Sequence, residues 1–373
     1  MADLVTNRFA SWPRLPARLA LAVLAALLAL SAIANVASGE GPHSVPSLDS
    51  KAQAARPDRD EDLALYDHVI ARMEKGEGYY DVIAQEHRAS HYPLRPGLAV
   101  RLPTLAVILA HVPQPGQVLA SVLLLVAVMA AWWRRLGEEP DGQTYRLFAM
   151  TLLFFGMQVS TTRYFFVLHE LWVGSLLALA MGLYRPDKGR WIGAFIAAAV
   201  ALSIREHALP FVLLMGAFAA WHRRWKEAAA WGALAAVFLG ALAWHLHIVA
   251  GLVRPDDPAG ASWVTLRGIS GWLSMIMLAS NLRWLPTMIG APLVVLMTFG
   301  WASRRNGIAS FATLLFLGYG LLFMIAGRPD NWYWGFVIQP VMWIGLAYAP
   351  AGVRALWQAA FPSGQAATTD APA

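Results

Sequence analysis

The sequence predicts an all-α polytopic membrane protein of about ten transmembrane helices, with a long first extracytoplasmic loop carrying amphipathic helices. Three observations predict it. The 373 residues are 58% hydrophobic and 14% charged, with a mean hydropathy of +0.48, whereas a soluble domain carries about 25% charged residues. Apolar runs of bilayer-spanning length recur along the chain. The basic residues gather in short connections between those runs, so the net charge of +6 reads as membrane orientation and not as nucleic-acid binding. Lipid supplies no hydrogen-bond partner to a bare backbone, so the spans are helices. The chain has no cysteine, which removes disulfides, thiolate nucleophiles and Cys-based metal sites.

Residues 1–38 read as a cytoplasmic N-terminus and first span. Arg8, Arg14 and Arg18 precede a nearly uninterrupted apolar run over 19–36. Ser31, Ala32 and Ala34 would also suit a cleavable signal peptide, but the many spans that follow favour an uncleaved helix. Residues 39–116 form the first loop. Its opening, 39–59, is rich in Gly, Pro, Ser and Ala and reads as an irregular connection. From Asp60 the pattern changes: Leu63, Tyr66, Val69, Ile70 and Met73 recur at three- and four-residue steps. That spacing predicts an amphipathic helix, too polar to span. Asp58 or Asp60 is its candidate N-cap, and acids in its first turn suit the helix dipole. Gly76-Glu77-Gly78 stops it. A second amphipathic stretch covers 79–91 and ends before Pro93 and Pro96. The apolar segment 98–111, broken by Pro103, either lies at the interface or begins a span.

Residues 117–350 hold the remaining spans, expected at 117–133, 144–162, 167–184, 190–204, 207–221, 228–250, 284–302, 308–326 and 334–350. Residues 351–373 form a cytoplasmic tail. The inner connections carry Arg134-Arg135, then Arg185, Lys188 and Arg190, then Arg223, Arg224 and Lys226, then Arg304-Arg305, and finally Arg354. The outer short loops carry mainly single cations: Arg163, Arg205 and Arg328. The bias toward positive inner loops sets the first loop outside. That loop holds eleven of the 23 acidic residues. A second outer region, 251–283, contains Arg254, Asp256, Asp257, Arg267 and Arg283.

Asp60-Glu61-Asp62 is the first candidate for chemistry. Acids at a helix start are most often a solvated dipole contact worth under ~1 kcal/mol. Here they follow a first span, in a chain that is otherwise almost all membrane. An amino-terminal span, an outer loop with clustered acids and a Tyr shortly after resemble the GT-C superfamily of integral membrane glycosyltransferases. These include protein O-mannosyltransferases, the aminoarabinose transferase of lipid A and bacterial mannosyl- and arabinosyltransferases. Asp62-Leu63-Ala64-Leu65-Tyr66, followed by Glu74-Lys75-Gly76-Glu77-Gly78-Tyr79-Tyr80, is similar to the opening of that superfamily's first loop. Leu94-Arg95-Pro96 into Leu102-Pro103 resembles its proline-marked return to the membrane.

The resemblance implies sugar transfer from a polyprenyl-phosphate donor to a lipid, glycan or protein acceptor, with inversion at the anomeric carbon. It implies a bacterial plasma (inner) membrane location with the active site on the extracytoplasmic face. A loop carboxylate would be the general base, since a positioned carboxylate can take the proton of an acceptor hydroxyl. Asp62 stands four residues before Tyr66, as in the family pattern, while Asp60 with Glu61 is the alternative acidic pair. Three adjacent carboxylates cannot all face one way on a helix. Some superfamily members use a divalent cation, and Mg or Mn on the triplet stays open.

The donor phosphate needs cations, and Arg suits it. The outer candidates are Arg163-Tyr164, Arg205-Glu206-His207 and Arg328-Pro329-Asp330-Asn331, each where an apolar run meets the interface. Interfacial anchoring is the bland explanation for each. Arg205-Glu206-His207 stands out because almost no loop separates its flanking apolar runs, and charges held in such a turn are costly unless used. An Arg-Glu pair at an outer helix junction also resembles related bacterial transferases. His169 and Glu170 either line the cavity or pair with Arg163, the pairing being favoured. Asn331-Trp332-Tyr333-Trp334 is an interfacial aromatic belt or a sugar-stacking platform. His245 and His247, two apart on a helix, face different ways and make a poor metal pair. A transporter or flippase of a lipid-linked glycan would show ionisable residues at mid-membrane and mirrored halves, and the charges here lie at helix ends. A surface-polysaccharide polymerase or ligase would rely on outer Arg and His residues in place of loop acids.

Overall fold

The apolar runs form helices, and the order in which they pack decides which polar residues end up buried together. A computed structural model describes residues 6–36 and 61–362. The expected irregular connection, the N-cap candidates Asp58 and Asp60 and most of the tail lie outside the described residues. Glu61 and Asp62 are described as backbone only. The described elements are helices: α1 (Arg14–Ile33), α2 (Glu61–Met73), α3 (Tyr79–Ala89), α4 (Thr104–His111), α5 (Gln114–Gly137), α6 (Gly142–Met157), α7 (His169–Leu183), α8 (Ile192–Ile204), α9 (Leu209–Trp221), α10 (Trp225–Leu252), α11 (Gly268–Leu278), α12 (Thr287–Ser303), α13 (Gly307–Ile325) and α14 (Ile344–Ala360), joined in places by single 3₁₀ turns.

Four of these, α1, α5, α10 and α13, are long and apolar enough to cross a membrane. The bent pair Pro329–Val337 and Gln339–Ala360, with 66° between its halves, makes a fifth if counted as one span. Their outward faces carry large apolar side chains, among them Leu19, Val23, Leu123, Val126, Val237 and Leu321. Exposed apolar surface on this scale belongs in lipid. The chain is therefore a helical membrane protein. The expectation of ten spans is matched in part: α6, α7, α8, α9 and α12 are apolar but have 13 to 17 residues, at or below the lower limit for crossing alone.

Two expectations change. Residues 251–283 were expected as an outer loop, yet they contain α11, which is buried against α13 and the segment Pro329–Val337. Eleven residues are too few for a span, and the polar flanks conceal them in sequence. The last span, expected as one helix over 334–350, is broken at Ile338. Around the break the Gln339 amide donates to the Gly156 carbonyl at 2.7 Å, and Trp343 Nε1 donates to Gln339 Oε1 at 2.9 Å. Backbone freed at membrane depth persists only where protein covers it or it lines a cavity.

The loop helices follow their periodicity. Leu63, Tyr66, Val69 and Met73 of α2 are buried, and Gly76, at φ +93°, turns the chain into α3. A second loop is fastened to the first. Arg88 grips Asp257 with two parallel bonds of 2.7 and 2.8 Å, and Asp257 also accepts from the Arg254 N–H at 2.7 Å. These donors, Arg88 first, hold the Asp257 carboxyl well below its usual range. A carboxylate depressed in the folded state adds stability above its unfolded pKa of about 3.9 and loses it as pH falls further. Protection against hydrogen exchange across 88–96 and 252–260, taken relative to the intrinsic rate at each pH, is therefore expected to be high above about pH 5 and lower below about pH 4. Asp257→Asn is expected to give the low protection at neutral pH.

Candidate functional site

Where the helix ends meet beneath α2 and α3, the fold buries a set of charges. Arg205 leaves α8 in an extended conformation, and Glu206–Ala208 make one 3₁₀ turn before Pro210 restarts the chain as α9. Proline suits the first turn of a helix because its missing N–H is not needed there. This tight reversal forces Arg205, Glu206 and His207 toward the protein. Glu170 lies in the first turn of α7, where the helix dipole favours an acid. Arg205 Nε donates to Glu170 Oε1 at 3.0 Å, and both side chains are buried. Arg205 Nη1 is 3.3 Å from Glu206 Oε1, and His207 Nδ1 is 3.5 Å from Glu170 Oε1. The expected pairing of Glu170 with Arg163 is replaced by this one. Arg163 is exposed and makes no ion pair among the described residues, because the 3₁₀ turn Arg163–Phe165 ends before α7 begins.

Three aromatic residues close the set from the other side. The His207 ring lies 4.6 Å from Trp334. Arg101 lies over the Tyr66 ring at 4.5 Å and near the Tyr333 ring at 5.4 Å. Tyr66 in turn packs edge-on to His169 at 5.5 Å. The backbone around Arg101 is held by Tyr79, whose hydroxyl donates to the Arg101 carbonyl at 2.5 Å. Burial, then the neighbouring Tyr66, holds the Tyr79 phenol far above its ordinary value, so it stays a donor. Arg101 is buried and within electrostatic reach of Glu170 and Arg205. Two guanidiniums, two carboxylates, two imidazoles and three aromatic rings thus meet beneath α2.

Among the described residues, Glu170 Oε2 and Trp334 Nε1 make no hydrogen bond, and Arg205 Nη1 and His207 Nδ1 make only the ion-pair contacts given above, without hydrogen-bond geometry. More than nine in ten buried polar groups in folded proteins are satisfied. Leaving one unpaired costs about 1–3 kcal/mol. A concentration of such atoms at one place is expected where a polar ligand completes the bonding.

Of the residues singled out in sequence, the structure brings together Tyr66, Glu206, His207 and Arg205. Asn331 is buried as well, its side chain accepting from the Arg328 N–H at 3.1 Å. Trp332 packs on Tyr333 at 6.0 Å and sits by Arg283 at 5.6 Å. Tyr164 is partly buried beside Phe165. Arg328 pairs with its exposed neighbour Asp330 at 2.8 Å and points the charge at the surface. Asp60 lies outside the described residues, as do the side chains of Glu61 and Asp62, although α2 carries their backbone above the buried set. Sequence reasoning passed over Arg101, while Tyr333 and Trp334 were legible as part of the aromatic run 331–334. A lone Arg between Val100 and Leu102, in a stretch otherwise apolar, was the available signal.

His245 bonds with the Tyr80 hydroxyl at 2.9 Å and with the Val100 carbonyl at 3.1 Å, so it fastens α10 to the loop. Among the described residues no group of three His, Cys, Asp or Glu side chains converges on a metal position. No family model, no curated protein and no solved structure matches this chain.

Proposed function

We propose that the protein is a membrane glycosyltransferase that moves a sugar from a polyprenyl-phosphate donor to an acceptor on the face bearing the long loop. The observation that supports this reading is the buried meeting of Arg101, Arg205, His207 and Glu170 beneath α2, where Arg205 Nη1, Glu170 Oε2 and Trp334 Nε1 make no hydrogen bond among the described residues. A phosphate head held there meets two guanidiniums with forked donors. Trp334, Tyr333 and Tyr66 supply flat apolar faces and polar tips, the chemistry that sugars stack on.

In the proposed reaction a carboxylate of Asp60–Asp62 takes the proton of the acceptor hydroxyl. The acceptor oxygen then bonds to the anomeric carbon as the bond from that carbon to the phosphate oxygen breaks. The lipid phosphate leaves with the electron pair, and Arg205 and Arg101 stabilise its charge. Glu170 positions Arg205 without touching substrate. The charges lie at helix ends, with Arg205 at the end of α8 and Glu170 at the start of α7; this favours surface chemistry over passage through the membrane.

The test is transfer from polyprenyl-phosphate-linked sugars to candidate acceptors by purified protein in lipid. Asp60→Asn/Asp62→Asn is expected to insert normally and lose about 10²–10⁴-fold in rate, the usual contribution of a general base. Unchanged transfer in that double variant overturns the base assignment. Failure of the wild type with every lipid-linked donor overturns the reading itself.

A further inference from the structure

At the opposite end of the bundle, between the start of α1 and the end of α14, lies a groove of about 410 Å³ lined by Trp12, Arg14, Tyr145, Arg354 and Gln358 among others. That volume falls within the range of about 300–1,000 Å³ typical of ligand clefts. Its two arginines differ from most cations at this end. Arg304 is matched by Asp141 and Glu139, Arg185 by Glu138, and Arg224 by Glu227. Arg14 and Arg354 make no ion pair with any carboxylate among the described residues, and both are exposed. They come from two helices that pack on each other. The backbone N–H groups of Arg14 and Leu15 open α1 with no side-chain cap, which adds positive potential at the same mouth.

Outside the groove's lining, the two helices that form it expose large apolar side chains: Leu15 and Leu19, one turn apart on α1, and Trp357, one turn beyond Arg354 on α14, with Phe361 just after its end. Arg18 ties the two helices together, donating from Nε to the Ala360 carbonyl at 3.1 Å and lying over the Phe361 ring. A positive, polar cleft that opens sideways onto an apolar helix face has two halves, and they match the two halves of one molecule. We propose that this groove binds the phosphate headgroup of an anionic phospholipid, with its acyl chains along the exposed faces of α1 and α14. Basic pockets between membrane helices take such headgroups. The chemistry is that of a phosphodiester, which a soluble phosphate shares in part. The exposed apolar faces of α1 and α14 next to the groove favour the lipid source.

The experiment titrates the purified full-length protein in detergent with phosphatidylglycerol, phosphatidylcholine or inorganic phosphate, and reads thermal unfolding by tryptophan fluorescence. Phosphatidylglycerol is expected to raise the wild-type Tm in a saturable way, and the other two to leave it unchanged. Arg14→Gln/Arg354→Gln is expected to weaken the apparent affinity about 30-fold, from about 1 kcal/mol for each cation near a lipid phosphate. Arg14→Lys/Arg354→Lys is expected to keep most of it, which separates loss of charge from loss of fold. An equal Tm rise in the Gln variant overturns the site. A rise with inorganic phosphate as large as with the lipid overturns the headgroup assignment.

Discussion

Glu170→Gln is expected to destabilise the protein by about 3–5 kcal/mol, the range for removing one partner of a buried ion pair. Arg205 is 6% exposed and Glu170 fully buried, so solvent cannot replace the lost carboxylate. The amide keeps the shape and one acceptor but leaves the guanidinium charge with Glu206 alone, at 3.3 Å. Thermal unfolding in detergent checks this against the wild type. The neutral pair Glu170→Gln/Arg205→Gln is expected to recover most of the loss, because removing both charges removes both desolvation penalties. If Glu170→Gln alone unfolds at the wild-type temperature, the pair is not desolvated as the packing indicates.

The second large effect belongs to the crossing of α12 and α14. A Cβ on Gly300 would lie 1.8 Å from the Gly345 carbonyl oxygen, and one on Gly345 would lie 1.9 Å from the Met297 carbonyl oxygen. Each obstacle is backbone, which cannot swing aside as a side-chain tip can. Small residues let membrane helices approach this closely, where packing replaces the hydrophobic effect as the driving force. Gly300→Val is therefore expected to cost at least the ~1–3 kcal/mol of ordinary overpacking, read as loss of the monodisperse peak after detergent extraction. Gly240→Ala is the control. It sits in α10 with nothing within 4 Å of a new Cβ, and is expected to be neutral or to gain about 0.5–1 kcal/mol from helix propensity. Equal behaviour of the two variants would contradict the close crossing.

How much of this was legible in the sequence follows from range. Periodicity is local, so α2, α3 and the stop at Gly76 could be read from residues within a few turns, and the end of α3 at Ala89 falls two residues before the end read at 91. Arg205-Glu206-His207 was legible as a costly cluster because the cost comes from burial between two apolar runs. Its partner was not legible: Glu170 is 35 residues away, and Arg163 was simply nearer in sequence. The buried helix α11 was hidden because eleven apolar residues between polar flanks fit a loop as well as a helix. The break at Ile338 carried a local signal in Gln339-Pro340, since proline lacks the helical donor and restricts the residue before it, but the apolar and aromatic neighbours read as one continuous span. A Cβ on Gly335 would lie 2.1 Å from the Met275 carbonyl oxygen, a close approach that only the packed structure reveals. Arg101 was not legible because one cation between Val100 and Leu102 reads locally as an interfacial anchor, and its ring partners Tyr66 and Tyr333 are distant in sequence.

The most direct test of the account uses Glu170→Gln/Arg205→Gln, because that protein is expected to fold while lacking the buried charges. Its binding of a polyprenyl-phosphate sugar, measured in lipid against the wild type, is expected to be weakened about tenfold to a hundredfold, since a hydrogen bond to a charged group contributes ~1.5–3 kcal/mol. Donor binding equal to the wild type, in a variant shown to be folded, would mean that the buried arginine holds the helices together and does not read the substrate.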